Sequence, residues 1–542
     1  MTMATAGLRT RTPMTGIVLA VVAGAFGAGV VLLGPAAGDL NSSIADQTIL
    51  ALATLAMGIV LMAAILRPWS GLLVWLVCMP LLNVARVRID TEPVAVTAST
   101  IVLLALVVGW LMESRRYALA PGSTIRPAIL QAAAILALVT VASVLVHGDP
   151  ATSWPVALHG VLEPLAAVLL VIELRPTRRQ LWQLVAALVA SAGIAAAYSL
   201  YRLTRTALLS GLDQVSRGDF GHYVFYNVNI FGEVLAMATP LAIGLFLLTR
   251  GHRPWRVGSF VLVTMFVLAI YFTFSKGAWL GGLAGIALVA TLASKRPWQR
   301  ATSISAAVLV GFLIVPVPLY VGSWLGSVGI GPVATASPTP GPTSSGSPRP
   351  SPSVSSTPSP GSYQQILEVF QGPDRLSSWD PTSASGQVSV RERFFAWKAA
   401  LEMAVSSPVV GVGPGRFGEE VRGAFRQAGS IRPLNSAHNY VLNIAAELGV
   451  IAAMLVLFGI ITGARFGFRA WRRGPAEHRI LGLVVMGGLA GFVMIGQTTG
   501  ADLYEPYRVM NSDGLFLALL IGLAFALAQL RATSEPELIR AA

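Results

Sequence analysis

The feature that most constrains this chain is the recurrence of apolar runs about twenty residues long, the length that crosses a bilayer as a helix. Hydrophobic residues make up 54% of the 542 residues and charged residues 12%. Water-soluble folds of this length do not have such a composition. Because a backbone in lipid satisfies its hydrogen bonds within a helix, the runs predict an all-α polytopic membrane protein.

We predict about fourteen membrane spans, with about twelve as the lower bound because some runs are short or contain proline. The runs lie at residues 17–33, 47–66, 69–85, 94–113, 127–147, 156–174, 180–201, 228–249, 257–274, 277–293, 302–325, 438–464, 479–498 and 513–531. One long polar interruption, residues 326–437, separates the last three runs from the others.

The basic residues of the short loops fall mainly on one side of this arrangement, and such loops face the cytoplasm. That side contains Arg9, Arg11, Arg67, Arg115, Arg116, Arg126, Arg175, Arg178, Arg179, Arg250, Arg253, Arg256, Lys295, Arg296, Arg300, Arg465, Arg469, Arg472, Arg473 and Arg531. The short loops of the other side contain fewer, namely Arg86, Arg88, Arg202, Arg205, Arg217, Lys276 and Arg508. The net charge of +13 therefore reflects membrane topology, and nucleic acid is not expected as a partner.

This pattern predicts a multi-pass protein of the cytoplasmic membrane with both termini in the cytoplasm. Residues 1–325 are expected to form a membrane bundle of about eleven spans, and residues 438–531 three more. Residues 326–437 are expected to form a large extracytoplasmic loop, and residues 532–542 a cytoplasmic tail.

Two segments of the large loop differ in composition. Residues 335–362 form a Ser/Pro/Thr tract with too few apolar residues to fold, which predicts a disordered linker. A glycosylated tract is the alternative. After it, apolar residues recur at helical spacing and predict an amphipathic helix at about residues 388–406, lying on the membrane surface or over the bundle.

The segment that follows the linker contains a series of short motifs. Arg393 precedes Trp397 by four residues within the predicted amphipathic helix. A Ser-Pro pair and a Gly-Val-Gly-Pro-Gly turn, residues 411–415, come next. His438 then opens an apolar run that continues as NYVLNIAAELG. Polar groups at the outer end of a span are candidates for a functional site.

Two motifs upstream lie on the same predicted side. In FYNVNIFGEVLAMATPLA, Asn229 enters a span, and in TFSKGAWLG, Ser275 lies at the outer end of another. In their order, spacing and placement, these motifs together resemble the O-antigen ligase and polymerase superfamily of bacterial membrane proteins. The resemblance covers about residues 195–510, and the earlier spans match in hydropathy alone.

The resemblance implies a GT-C-like membrane glycosyltransferase that moves a glycan from undecaprenyl diphosphate to an acceptor hydroxyl outside the cytoplasm. It implies inversion at the anomeric carbon, and neither a metal ion nor a cofactor. The residues that it assigns are His438 as the base, Arg393, Lys276, Arg391 and Arg416 as ligands of the donor diphosphate, and Asn229, Ser275 and Asn439 as substrate-binding residues. An imidazole accepts a proton near neutral pH, and cations stabilise a departing diphosphate.

One position departs from the family's pattern. Lys276 stands where the family has an arginine, and a lysine keeps the charge but lacks the planar fork that holds two phosphate oxygens. We therefore expect Arg391, Arg393 or Arg416 to carry more of the diphosphate binding.

Each of these residues also has a structural interpretation. His438 can be an interfacial polar residue, and Arg391 and Arg393 can form the solvated face of an amphipathic helix. The glycines can be a simple turn, and Asn229 can cap a helix. His159 and Glu163 share one helical face, where a functional pair and a satisfied buried pair are both open.

Two classes of function are compatible with the sequence. The first is the membrane glycosyltransferase, acting as a polymerase or as a ligase, with a glycan, lipid, protein or wall component as its acceptor. The second is a lipid-linked oligosaccharide flippase or another polytopic transporter, which would place charges at mid-membrane depth. The single cysteine, Cys78, and the absence of an Asp-x-Asp or His/Cys cluster from the sequence give no indication of a metal.

Overall fold

The protein is described by a computed structural model in which residues 60–84, 88–89, 96–114, 125–147, 150–210, 228–249, 253–273, 275–293, 384–421, 436–496 and 512–541 are placed. The runs predicted at 17–33 and 302–325, most of the run at 47–66 and the Ser/Pro/Thr tract at 335–362 lie outside these residues. The placement of the N-terminus predicted above lies outside them as well.

The described chain is helical apart from one short ribbon. Its elements are α1 (Pro68–Val84), β1 (Arg88–Ile89), β2 (Val96–Thr97), α2 (Ala98–Ser114), α3 (Ile125–His147), α4 (Pro150–Ala157), a π-helical turn (Leu158–Leu162), α5 (Glu163–Glu173), α6 (Arg178–Ser210), α7 (Val228–Leu248), α8 (Arg253–Thr273), α9 (Lys276–Ala293), α10 (Ala384–Ser406), α11 (Tyr440–Leu448), α12 (Val450–Arg473), α13 (Ala476–Gly496) and α14 (Ser512–Ala541). The two strands pair antiparallel, Arg88 with Thr97 and Ile89 with Val96.

Within the described residues, seven segments are long and apolar enough to cross a membrane. They are Pro127–His147, Ser153–Glu173, Arg178–Arg205, Val228–Leu248, Arg253–Thr273, Val450–Arg473 and Ala476–Gly496. Four shorter apolar helices, Pro68–Pro80, Thr100–Met112, Gly277–Ala293 and Gly514–Leu530, accompany them. Each overlaps one of the apolar runs of the sequence, so the predicted polytopic helical membrane fold is confirmed.

Helices α7, α9 and α13 pack against one another at the centre of the bundle. Glycines let their backbones approach closely, since a Cβ added at Gly281 would lie 2.7 Å from the Gly491 carbonyl oxygen. A Cβ at Gly285 would lie 2.8 Å from the Gly487 carbonyl oxygen. Lipid supplies little hydrophobic drive for helix association, so such small-residue contacts carry the packing between spans.

The bundle has two distinct ends. At the site end, α7, α9 and α11 begin and α13 ends; at the basic end, α6 and α13 begin. The Arg178 guanidinium and the Glu477 carboxylate form an ion pair of 2.9 Å at the basic end. There the Trp471 indole N–H also donates to the Leu292 carbonyl at 3.2 Å, which joins α12 to α9.

The run predicted as one span from about residue 438 is two helices in the structure. α11 ends at Leu448 and α12 begins at Val450, with Gly449 between them at φ +88°. The break is fixed from outside the run, because the Val450 N–H donates to the Pro408 carbonyl at 2.8 Å. The last helix also continues to Ala541, beyond the expected end of its span at 531.

Replacement of Gly449 by alanine is expected to destabilise the fold. A Cβ there would lie 2.5 Å from the Val409 carbonyl oxygen, and the φ of +88° disfavours any side chain. We expect the thermal midpoint of unfolding in detergent to fall for Gly449→Ala. Gly459→Ala is the control, because its Cβ would meet Ile521 at an ordinary 3.6 Å. Equal midpoints for the two variants would contradict the tight contact.

Candidate functional site

A turn rich in glycine joins α10 to the junction of α11 and α12. The Val412 N–H donates to the Ala446 carbonyl at 2.8 Å, and the Gly413 N–H donates to the Glu447 carbonyl at 3.0 Å. Together with the bond from the Val450 N–H to Pro408, these backbone contacts tie the end of α10 to the end of α11. The position of α10 on the bundle therefore depends on this turn.

The glycines of the turn are required by close backbone contact. Gly411 has φ +64°, and a Cβ there would overlap the Glu447 carbonyl group. Gly413 has φ +107°, and its Cβ would lie 2.9 Å from the His147 Cβ. The Gly411 N–H donates to the Ser407 carbonyl at 2.9 Å. Because the N–H groups of both glycines already have carbonyl acceptors, their turn interpretation is the better supported one.

The C-terminal end of α3 contacts the glycine turn through side chains. The Ser143 hydroxyl lies 2.5 Å from the Val410 carbonyl oxygen and 3.1 Å from that of Glu447, so it bridges the turn and α11. The Arg416 guanidinium donates to the His147 carbonyl at 3.3 Å and forms ion pairs with Glu420 at 3.2 Å and Glu419 at 3.7 Å. Arg416, a predicted diphosphate ligand, thus contributes to the support of the turn.

His438 lies two residues before α11, with its side chain half-buried. Its backbone has φ +48°, a conformation that is uncommon outside glycine, and its N–H donates to the Ser436 hydroxyl at 3.4 Å. Strained backbone of this kind persists where the surroundings hold it in place. The local contacts therefore fix the direction in which the imidazole leaves the chain.

Two asparagines hold the chain around His438. The Asn439 side chain accepts from the Leu442 N–H at 3.1 Å and caps the start of α11. The buried Asn443 side chain accepts from the Ala437 N–H at 3.0 Å, directly before the histidine. Asn439 was predicted as a substrate-binding residue, and the structure gives it a capping contact. Asn443 was not predicted as a site residue. Its position four residues after Asn439, which puts both side chains on one face of α11, is the sequence signal that could have identified it.

Arg393 lies on α10, which packs along α11 through buried alanines. Both helices end at the glycine turn, so the part of α10 that contains Arg393 lies toward the start of α11, which His438 precedes by two residues. Arg393 is half-buried, and the loss of water around it lowers the pKa of its guanidinium. It remains a cation at neutral pH. The side chain of Arg391 lies outside the described residues, although its backbone is part of α10.

Trp397, which follows Arg393 by four residues in the motif, packs against a neighbour on the same helix. The Trp397 and Phe394 rings make an edge contact with centroids 5.3 Å apart. Phe394 is 63% exposed, whereas Trp397 is half-buried. Lys398 and Glu402 form an exposed pair at 3.7 Å on another side of the helix. α10 therefore presents Arg393 from a face that differs from its solvated one.

The upstream motifs meet at the site end of the bundle. Asn229 lies in the first turn of α7, and one turn later a Cβ at Gly232 would lie 2.7 Å from the Ala278 Cβ in the first turn of α9. The Ser275 hydroxyl accepts from the Ala278 N–H at 3.4 Å and so caps α9. Lys276 is the first residue of α9, and its side chain lies outside the described residues.

α13 joins these motifs to His438. Tyr440 follows His438 by two residues. Its ring makes an edge contact with the Phe492 ring of α13, with the ring centroids 5.0 Å apart. On the same helix, a Cβ at Gly496 would lie 3.4 Å from the Tyr440 Cβ. Because α13 also contacts Gly281 of α9, the segments that contain His438 and Ser275 lie at one end of the bundle.

His159 and Glu163 lie in contact on one helical face, as their spacing predicts. The His159 Nδ1 atom lies 3.1 Å from one Glu163 carboxylate oxygen, and the Thr100 hydroxyl donates to the other at 2.5 Å. Glu163 begins α5, so the contact joins α2 to α5 through the π-helical turn.

Among the described residues, no group of three or more His, Cys, Asp and Glu is placed to hold a metal ion.

The fold and the site define a polytopic helical membrane protein whose polar motif residues gather at one end of the bundle. The model of the family described as O-antigen ligase matches residues 258–457, from α8 into α12. This match confirms the resemblance to the O-antigen ligase and polymerase superfamily, and it includes Ser275, Lys276, Arg393 and His438. Asn229 precedes the matched residues. No curated protein matches the chain significantly.

Replacement of Asn443 by alanine is expected to lower the rate of the reaction of this site by about tenfold or more, because the Ala437 N–H, directly before His438, loses the side-chain acceptor that lies 3.0 Å away. The free energy of unfolding is expected to fall by about 1–3 kcal/mol. The measurements are kcat, KM and the thermal midpoint.

Thr239→Val is the matched control for Asn443→Ala. It removes a buried hydroxyl that donates to the Leu235 carbonyl at 2.7 Å in the middle of α7. The control is expected to lose stability and to keep its kcat. If both variants lose activity in proportion to stability, Asn443 has a structural role alone.

Proposed function

We propose that the protein is a glycosyltransferase that moves a glycan from undecaprenyl diphosphate to an acceptor hydroxyl at the outer face of the cytoplasmic membrane. The observation that carries the proposal is the position of His438 and Arg393. Both lie in the segment that matches the O-antigen ligase family, and the glycine turn ties α10, which contains Arg393, to α11, which His438 precedes. A lipid-linked glycan and the bilayer are its proposed partners.

The chemistry assigns a separate task to each group. The His438 imidazole accepts the proton of the acceptor hydroxyl as that oxygen attacks the anomeric carbon. The diphosphate leaves on the opposite face of the sugar, so a single displacement inverts the configuration. This displacement requires neither a metal ion nor a cofactor, because side chains supply the positive charge that stabilises the leaving diphosphate.

Arg393, Arg391 and Lys276 are the proposed ligands of the diphosphate. Partial burial strengthens the attraction of Arg393 for phosphate oxygens, because water screens the charge less. Arg416 already contacts Glu420 and the His147 carbonyl, so its proposed contribution is smaller. The helix beginning at Lys276 adds the positive end of its dipole to the same region.

The distribution of basic residues supports an outer position for the site. Arg175, Arg178 and Arg179 lie where α6 begins, and Arg465, Arg469, Arg472 and Arg473 lie in the last part of α12, both at the basic end. The positive-inside rule assigns such an end to the cytoplasm. The site end, opposite to it, then faces the outside, and the C-terminus is cytoplasmic.

The transport alternative is less well supported by the positions of buried charges. Among the described residues, the buried acidic side chains are Glu163, Glu233 and Glu447. Glu163 begins α5, Glu233 lies in the second turn of α7, and Glu447 lies next to the glycine turn. Glu233 and Glu447 are near the site end, whereas Glu163 lies midway along the span Ser153–Glu173, where it accepts a hydrogen bond from Thr100. A transporter is expected to carry several charged residues near mid-membrane depth.

The proposed function is tested with purified protein in liposomes that contain lipid-linked repeat units. His438→Asn is expected to lower transfer by about a thousandfold or more, because it removes the base. Asparagine tolerates positive φ, so the variant keeps the backbone conformation of the wild type. Transfer at the wild-type rate by a well-folded His438→Asn protein would exclude the imidazole from the reaction.

The same assay separates the two activities of the superfamily. A polymerase forms a ladder of products from lipid-linked repeat units alone. A ligase forms product after a separate acceptor has been added. If neither mixture gives product while labelled donor moves between the leaflets, the transport alternative is correct.

Arg393→Ala is expected to reduce kcat/KM by about a hundredfold, since a charge-assisted contact to the leaving diphosphate is lost. Lys398→Ala is the matched control on the same helix, because Lys398 is exposed and paired with Glu402. The control is expected to retain at least about half of the wild-type value, as an exposed pair contributes little. Equal losses in the two variants would indicate a general effect of charge on α10.

A further inference from the structure

Two buried side-chain donors near His438 lack an acceptor in the protein. The indole nitrogen of Trp397 on α10 and the amide nitrogen of Asn443 on α11 are buried, and among the described residues neither has a hydrogen-bond partner. Asn443 is 1% exposed, and Trp397 is half-buried. Buried N–H groups are nearly always paired, because an unpaired one costs stability. The position of both donors beside the candidate site favours an acceptor that belongs to a bound molecule.

The amide of Asn443 is held in one orientation. Its oxygen accepts from the Ala437 N–H at 3.0 Å, directly before His438. Because the oxygen of the amide is used in this way, the nitrogen is the group that remains available, and it is a donor. Asn439, one turn earlier, caps α11 through its own side-chain oxygen. The N–H groups of Asn443 therefore lie toward the end of α11 that His438 precedes.

Trp397 lies at the same level of the site. α10 and α11 pack side by side, and both end at the glycine turn. Trp397 precedes Ser406, the last residue of α10, by nine positions. Asn439 precedes Leu448, the last residue of α11, by the same number. At the helical rise per residue, Trp397 and Asn439 are thus each about 13 Å from the turn.

The face of α10 that contains Trp397 is turned toward the protein. Trp397 shares this face with Arg393, one turn earlier in the helix. After Trp397, the buried residues Ala400 and Ala404 continue the same face. Lys398, on the solvated side of the helix, is exposed. The indole N–H and the Arg393 guanidinium are therefore presented by one protein-facing surface of α10.

From this arrangement we infer that the Trp397 indole N–H donates to an oxygen of the sugar that the donor diphosphate carries. The inference rests on the proposed function. In that reaction the sugar lies between the diphosphate, which Arg393 binds, and the acceptor hydroxyl beside His438. Its hydroxyl and ring oxygens are acceptors for N–H groups, which matches the donors of Trp397 and Asn443.

The contact gives Trp397 a task that differs from that of Arg393. The guanidinium of Arg393 binds a diphosphate whether or not a sugar is attached to it. The indole N–H acts on the sugar, so it distinguishes the glycosylated lipid from the bare lipid diphosphate. Because the hydrogen bond already forms in the bound donor, its loss is expected to raise KM more than it lowers kcat.

Binding of two lipids tests the inference. The full-length His438→Asn protein in nanodiscs is titrated with undecaprenyl diphosphate and, separately, with undecaprenyl-diphosphate-linked repeat units. Addition of Trp397→Phe is expected to weaken binding of the glycosylated lipid about tenfold, because phenylalanine keeps an aromatic ring and lacks the N–H. Binding of bare undecaprenyl diphosphate is expected to stay the same. Arg393→Ala is expected to weaken the binding of both lipids.

Trp75→Phe is the matched control. Trp75 is fully buried in α1, which packs on α2 and α6, and its indole N–H also lacks an acceptor among the described residues. This replacement is expected to change the binding of neither lipid. The thermal midpoint of Trp397→Phe is expected to fall no further than that of Trp75→Phe, since both lose the same ring atoms and neither loses a hydrogen bond within the protein.

Unchanged binding of the glycosylated lipid in Trp397→Phe would overturn the inference, and so would equal weakening for both lipids. A thermal midpoint well below that of Trp75→Phe, with binding unchanged, would assign the indole N–H to the fold instead. The proposed function fails by a separate result. If the wild type binds the glycosylated lipid through Trp397 and transfers no glycan with any acceptor, the sugar contact stands and the transferase assignment is wrong.

Discussion

The backbone hydrogen bonds between the glycine turn and the end of α11 set the geometry of the rest of the site. Val412, Gly413 and Val450 donate at 2.8–3.0 Å to carbonyls across this junction. Each bond contributes only about 1 kcal/mol to stability. Their effect is one of position, because they tie the end of α10, the helix that contains Arg393, to the end of α11, the helix that His438 precedes.

The membrane bundle supplies the other half of the site. α7, α9 and α13 approach closely through glycines, and this contact places Asn229, Ser275 and the start of α9 at the site end. Tyr440 joins the two halves, since its ring packs on Phe492 of α13 and it follows His438 by two residues.

The sequence predicts the helices well because span length and hydropathy are local properties of the chain. It also predicts His438 and Arg393 through short motifs, and the family match includes both. The helix break at Gly449 cannot be predicted from the sequence, since glycine is common within membrane helices. The break depends on a hydrogen bond from the Val450 N–H to the carbonyl of Pro408, which is distant in the chain. The partners of Arg416 and the contact of Asn443 with the chain before His438 likewise depend on tertiary packing.

The most direct test of this account is the experimentally determined structure of the protein with a non-transferable lipid-linked donor bound. The account predicts that the diphosphate lies between Arg393 and His438, with the anomeric carbon facing the imidazole. A diphosphate bound at the basic end, near Arg178, or at the site end without contact to either residue, would contradict it.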